Sequence, residues 1–154
     1  MNDTATIERT FAALPLLARL NARQRERLAH RATIRSYRPR SIILRQGETA
    51  MSLYVILSGS ARVERETGTG APIPVEEIGT AGFFGELGLL DDEPRAAMVL
   101  AVEETECALL ANWDFQNELR DDPEIALALR PVLSTRIREL DALLVDGRAP
   151  APAG

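Results

Sequence analysis

The sequence predicts a mainly β fold, a sandwich or barrel of short strands with helices before and after it. Three observations predict it. Between residues 31 and 111 short apolar or alternating runs recur, each closed by a glycine-bearing or charged turn, the pattern of an all-β unit with strands at about 8–12-residue spacing. Residues 5–30 and 112–145 instead repeat apolar residues at helical intervals. The composition is 45% hydrophobic but only 5% aromatic, so aliphatic side chains must fill the core.

In the N-terminal part, Phe11, Leu14, Leu17 and Leu20 recur at three-residue spacing and Leu28 extends the set. Pro15 interrupts the pattern, which predicts a short helix, a break and a second helix near Ala22–His30. The strand runs follow as Ile34–Tyr37, Ile42–Leu44, Leu53–Leu57, Ala61–Arg65, Ile73–Ile78, Ala96–Val102 and Glu106–Ala111. Residues 82–94 break this rhythm. Asn112 is the expected N-cap of a helix to about Arg120, and Asp122-Pro123 the expected cap and first residue of the next, which runs to about Val145. Pro131 should kink it. Beyond the kink, Leu133, Ile137, Leu140 and Leu144 form a coiled-coil-like stripe that packs on the barrel or pairs with a second copy. Residues 1–145 therefore read as one domain, and 146–154, with nothing to bury, as a disordered tail.

The formal net charge of −5 argues against nucleic acid as the main partner. All 18 basic residues are Arg, and nine lie between Arg19 and Arg45, where an ion-paired helix and strand is the expected arrangement. The single Cys107 excludes an internal disulfide, sits in an apolar run, and suits an inert core thiol in a reducing cytoplasm. No signal peptide is visible and no segment reaches the roughly 18–20 apolar residues that span a bilayer, so neither export nor a membrane is expected. The one histidine, His30, reads as a charge at a helix C-terminus. Asp91-Asp92-Glu93 lacks the alternating ligand spacing of a calcium loop. No metal cluster, nucleophile–base pair or phosphate-binding P-loop is present, which disfavours an enzyme, including a metal-dependent one on a small β-barrel.

The stretch Gly82–Ala97 carries the most specific chemistry. Gly82, Gly85 and Gly88 permit unusual backbone angles and close approach of a ligand. A helical turn begun at Glu86 would expose N–H groups suited to an anion. Arg95 carries the side chain best shaped to fork onto a phosphate, and Glu86 is an acceptor suited to a ribose hydroxyl.

This stretch resembles the phosphate-binding cassette of cyclic-nucleotide-binding domains, as found in catabolite-activator-type regulators and in regulatory subunits of protein kinase A. The match runs through Phe84, Gly85, Glu86, Leu87, Gly88, Leu89, Pro94, Arg95, Ala96 and Ala97. The resemblance extends over residues 10–145. Arg45–Glu48 and Leu53–Gly59 resemble the family's early strands and turns, and Trp113-Asp114-Phe115 the start of the helix after the barrel. It implies an eight-stranded β-roll, a double-stranded, jelly-roll-like β-helix with N-terminal helices and two C-terminal helices. Glu86 would accept from the ribose 2′-hydroxyl, and Arg95 would pair with the cyclic phosphate. N–H groups around Gly85–Leu87 and at Ala96 would complete the anion site, and Leu133, Ser134 and Ile137 would form a lid. Ala96, where a hydroxyl residue is often linked to cyclic GMP, points to cyclic AMP. Met98 is a departure, because many relatives carry Ser or Thr there. The expected function is that of a stand-alone bacterial, cytoplasmic, non-enzymatic sensor. It binds cyclic AMP, with cyclic GMP as the competing ligand, needs no cofactor or metal, and signals in trans to an unidentified effector protein. A homodimer through the last helix is expected. DNA contact is not, because no helix-turn-helix, kinase or channel sequence follows residue 145. The alternative is a ligand-independent scaffold with the same fold.

Overall fold

The computed structural model describes residues 3–49, 51–85, 95 and 97–146, without the side chains of residues 3, 132–133, 136–137 and 139–146. Helix α1 (Asp3–Phe11), a 3-10 turn (Leu17–Arg19) and α2 (Ala22–Arg31) precede eight strands. These are β1 (Thr33–Tyr37), β2 (Ile42–Leu44), β3 (Ser52–Ser58), β4 (Ala61–Arg65), β5 (Ile73–Ile78), β6 (Phe83–Phe84), β7 (Met98–Ala101) and β8 (Thr105–Ala111). Helices α3 (Asn112–Asp121) and α4 (Pro123–Asp146) follow. The strands form two four-stranded antiparallel sheets, ordered β1-β8-β3-β6 and β2-β7-β4-β5.

Side-chain alternation explains why β3 and β8 read as unbroken apolar runs. On β3, Leu53 and Val55 point to the helices while Tyr54 and Ile56 point into the roll; on β8, Ala108 and Leu110 face the helices while Cys107 and Leu109 face inward. Both faces of these two strands are covered, so their central runs are apolar throughout. The helical side of the core is filled by Ile7, Phe11, Leu14, Leu17, Leu28, Phe115, Ile125 and Leu129. Pro15 falls between α1 and the 3-10 turn, at the expected break.

Local chemistry sets the joints. Asn21 and Gln24 form a capping box at the start of α2, each accepting the other's main-chain N–H, at 2.8 Å to Asn21 Oδ1 and 3.0 Å to Gln24 Oε1. The turn between β3 and β4 needs Gly59, whose φ is +94°. A Cβ there would lie 2.5 Å from the Glu104 carbonyl oxygen and 2.7 Å from the Thr105 Cα. Buried Thr105 completes that contact, since its hydroxyl donates to the Ser60 carbonyl at 3.0 Å and accepts from the Ser60 N–H at 3.2 Å.

Three expectations need correction. Asn112 is not a cap; it is the first residue of α3, and Ala111 precedes it without a side-chain bond. Its N–H instead donates to the Met51 carbonyl at 2.9 Å, so the neighbouring chain does what a capping side chain would do. The strand expected at Ala96–Val102 is the shorter Met98–Ala101, and an additional two-residue strand, Phe83–Phe84, lies in the segment that broke the rhythm. Asp122 does cap α4, accepting the Glu124 N–H at 3.2 Å, with Pro123 first in the helix. α4 continues through Pro131, and residues 147–154 lie outside the described residues.

The Arg-rich stretch is ion-paired where it forms α2. Arg25 meets Glu8 at 3.1 Å, Arg27 meets Glu118 at 3.1 Å and Asp122 at 2.6 Å, and Arg31 meets Glu118 at 2.9 Å and Asp114 at 3.4 Å. His30 is exposed in the last turn of α2, 3.9 Å from Glu26. Among the described residues, no helix is long and apolar enough to cross a membrane, and no group of three or more His, Cys, Asp or Glu side chains is placed to hold a metal ion.

Candidate functional site

The candidate site lies where β6 ends, beside the start of β3. Gly85 follows β6 with φ +82°, in the left-handed region. The Arg95 guanidinium lies against it, and its Nη2 donates to the Ser52 carbonyl at 2.9 Å. A Cβ on residue 85 would stand 2.5 Å from Arg95 Nη2, 2.8 Å from Nη1 and 2.7 Å from the Ser52 oxygen. Glycine is therefore required twice, for the backbone angle and for the space.

Arg95 is buried, with 7% of its surface exposed, although a guanidinium ordinarily stays in water. Its main chain is fixed on the other side. The Arg95 N–H donates to the Glu48 carbonyl at 2.6 Å, and the Gly47 N–H donates to the Arg95 carbonyl at 2.8 Å. The Arg45–Glu48 turn is itself pinned through Gln46, whose Oε1 accepts the Glu66 N–H at 2.8 Å and whose Nε2 donates to the Glu66 carbonyl at 3.4 Å. A cation is thus held in a set position by backbone contacts from β3 and the 45–48 turn. That arrangement offers a planar fork of donors to an anion with little further ordering cost.

The floor beside this cation is aromatic. Phe84 is buried and stacks on Tyr54, with ring centroids 4.9 Å apart and planes 9° apart. Burial pushes the Tyr54 hydroxyl up to about 12; the nearby Tyr37 adds to the rise, and Arg95 and Arg35 oppose it. Cys107 lies in the same interior cluster, and burial pushes its thiol up to about 12, as an inert core thiol requires. Ala97 and Met98 are buried at the start of β7.

Of the residues singled out in the sequence, the structure brings Phe84, Gly85, Arg95 and Ala97 to one place. Glu86, Leu87, Gly88 and Ala96 lie outside the described residues, as do the acidic residues 91–93. Of the lid residues, Ser134 is half-buried on α4, and the side chains of Leu133 and Ile137 are outside the description. Sequence reasoning missed Ser52, whose carbonyl receives the guanidinium, and the stacked Tyr54. A carbonyl contact leaves no trace in side-chain identity, and Tyr54 is hidden in an apolar run.

The fold is a β-roll with flanking helices, with a buried arginine laid across a positive-φ glycine. The family model for the cyclic nucleotide-binding domain matches residues 34–122, and the chain belongs to that family. It is 29% identical over 137 residues to a cAMP-dependent protein kinase regulatory subunit of Pyricularia oryzae, covering 88% of this chain and 34% of that protein. It is 35% identical over 99 residues to the cyclic AMP receptor protein of Thermus thermophilus, covering 64% of this chain and 46% of that protein. The chain thus spans less than half the length of these relatives. The crystal structure of the N-terminal domain of a transcriptional regulator from Streptomyces coelicolor superposes with a TM-score of 0.79 at 26% identity, covering 88% of this chain and 94% of that one.

Proposed function

We propose that this chain is a non-enzymatic, cytoplasmic sensor that binds a 3′,5′-cyclic nucleotide, with cyclic AMP preferred over cyclic GMP. The observation that carries the reading is the Arg95 guanidinium, buried, anchored by its own main chain, and seated on Gly85. In this reading Arg95 forks onto the cyclic phosphate through charge-assisted hydrogen bonds. Glu86 accepts the ribose 2′-hydroxyl, and the main-chain N–H groups around Gly85–Leu87 and at Ala96 complete the anion site. Phe84 and Ala97 close the apolar side. Ala96 offers no hydroxyl to the base, which favours adenine.

Leu133, Ser134 and Ile137 of α4 cover the base, and the resulting difference in affinity between two placements of α4 drives a switch. Movement of α4 then passes the event to a partner protein, in a unit comprising residues 1–145 that pairs with a second copy through α4. No cofactor or metal takes part, and the chain itself makes no DNA contact. Support comes from the family match and from relatives named for cyclic AMP.

A titration tests this directly. Trp113 is the only tryptophan, is 55% exposed, and stands at the start of α3, so its fluorescence reports on the site's neighbour. Cyclic AMP should bind with saturation and cyclic GMP more weakly, and linear 5′-AMP should bind least. With a dissociation constant of about 10 µM, about 1 mM ligand should stabilise the fold by roughly 2.7 kcal/mol. No thermal stabilisation by either cyclic nucleotide at that concentration would overturn the reading and leave the ligand-independent scaffold.

A further inference from the structure

We propose that Asp122 is an ionic catch that holds the α3–α4 joint to α2, and that opening this catch frees α4 to swing on its first turn. One carboxylate does two things. Its Oδ1 accepts the Glu124 N–H at 3.2 Å and starts α4, while its Oδ2 accepts from Arg27 at 2.6 Å and from Gln24 at 3.1 Å on α2. Asp122 is also the one non-helical residue between α3 and α4, with φ −137° and ψ 87°. Rotation of α4 about this joint pulls the carboxylate between the Glu124 N–H and its partners on α2.

The α3 side of the joint is clamped harder. Glu118 is buried and lies between Arg27 and Arg31, and Arg31 reaches on to Asp114, so carboxylates at 114, 118 and 122 face α2 in one row. Among the described side chains of α4 only Ile125 and Leu129 are buried in the core, and both lie before Pro131. Past Leu129, the described side chains of Arg130, Pro131, Ser134, Thr135 and Arg138 are exposed or half-buried. α3 is thus tied to α2 through Asp114 and Glu118, and among the described side chains α4 is tied through Asp122, Ile125 and Leu129. The tie is a charged contact that breaks discretely, unlike the graded apolar contact beside it.

This goes beyond ligand binding, and its test needs no nucleotide, so it stands or falls apart from the titration above. Spin labels are placed at Arg23→Cys on α2 and Arg130→Cys on α4, both exposed positions, with buried Cys107 left unlabelled. The distance distribution is then measured by pulsed electron paramagnetic resonance. The parent should give one narrow distribution. Asp122→Asn keeps an acceptor for the Glu124 N–H but turns an amide toward Arg27, and should shift or broaden the distribution. Arg27→Met, at a partly exposed side chain, should do the same. Arg27→Met also removes the Glu118 contact, so the double variant should broaden the distribution no further than Arg27→Met alone, the Arg27–Asp122 tie being already broken. Glu77→Gln, which removes an exposed pair with Arg62 on the roll, should leave the distribution narrow. An unchanged distribution in Arg27→Met, or additive broadening in the double variant, would overturn the proposal.

Discussion

Arg95 occupies the space that a side chain on Gly85 would need, with its Nη2 2.5 Å from where that Cβ would stand. The two residues are ten positions apart, yet each requires the other's identity. Gly85→Ala forces φ +82° on an L-residue at about 1–2 kcal/mol and pushes the guanidinium off the Ser52 carbonyl. The variant should fold with its thermal midpoint lowered by about 3–8 °C. Cyclic nucleotide affinity should fall at least about tenfold, because the cation is no longer where the phosphate meets it. Calorimetric titration beside a melting curve separates the two losses. Undiminished affinity would place the anion elsewhere.

Arg95 itself is the sharper probe. Arg95→Ala removes the fork and should weaken cyclic AMP binding by about 100-fold or more, from the loss of two charge-assisted hydrogen bonds. Arg95→Lys keeps the charge but not the planar geometry, and should recover only part of that loss. Circular dichroism should show the roll intact in both. Glu86→Gln retains one acceptor and should cost less, about tenfold, with the deficit larger for the ribonucleotide than for its 2′-deoxy analogue. Equal loss with both analogues would remove Glu86 from the 2′-hydroxyl.

How much of this was legible follows from what each element depends on. The β3 run, the break at Pro15 and the Asp122-Pro123 start of α4 are local signals, and each appears where the residues put it. Phe83–Phe84 is a strand only because Val55 and Tyr54 pair with it, a partnership two residues cannot announce. Asn112 has a capping residue's chemistry, but the Met51 carbonyl had already taken the role. The Asn21–Gln24 capping box was written in the chain and readable by its spacing. The ion pairs from α2 to α3 and Asp122 join residues 83 to 95 positions apart, so the sequence could predict an ion-paired helix but not its partners. The Gly85–Arg95 half of the site followed from motif chemistry, while its Ser52, Gly47 and Glu48 supports are main-chain contacts that any residue type makes.

The roll's interior should make the protein sensitive to alkali. Tyr54 and Cys107 are each held neutral by burial, with folded values of about 12 against about 10 and about 9 for ordinary groups. A raised folded value means that the unfolded chain ionises first. Stability from these groups is therefore complete below about pH 9 and drains as pH rises toward about 12. Thermal midpoints should fall across that window. Tyr54→Phe, which keeps the stack on Phe84, should flatten the fall, and the Cys107 thiol should react with a disulfide reagent only after unfolding. Prompt reaction of the native protein near pH 8 would show that the interior opens without unfolding.

The acid side belongs to Asp122. Hydrogen bonds from Gln24, the Glu124 N–H and Arg27, with the Arg27 charge, hold its carboxyl below the usual range, against a smaller opposing effect of desolvation. A lowered folded value means that the unfolded chain takes up the proton first. The stability from this charge is present above the ordinary carboxylate value of about 3.9 and is lost as pH falls through the folded value. The parent's thermal midpoint should drop as pH falls below the ordinary carboxylate value of about 3.9. Asp122→Asn should start lower at neutral pH, fall less over the same range, and meet the parent curve at its acid end. Parallel curves would mean that the Asp122 charge contributes nothing to holding α2 against the α3–α4 joint.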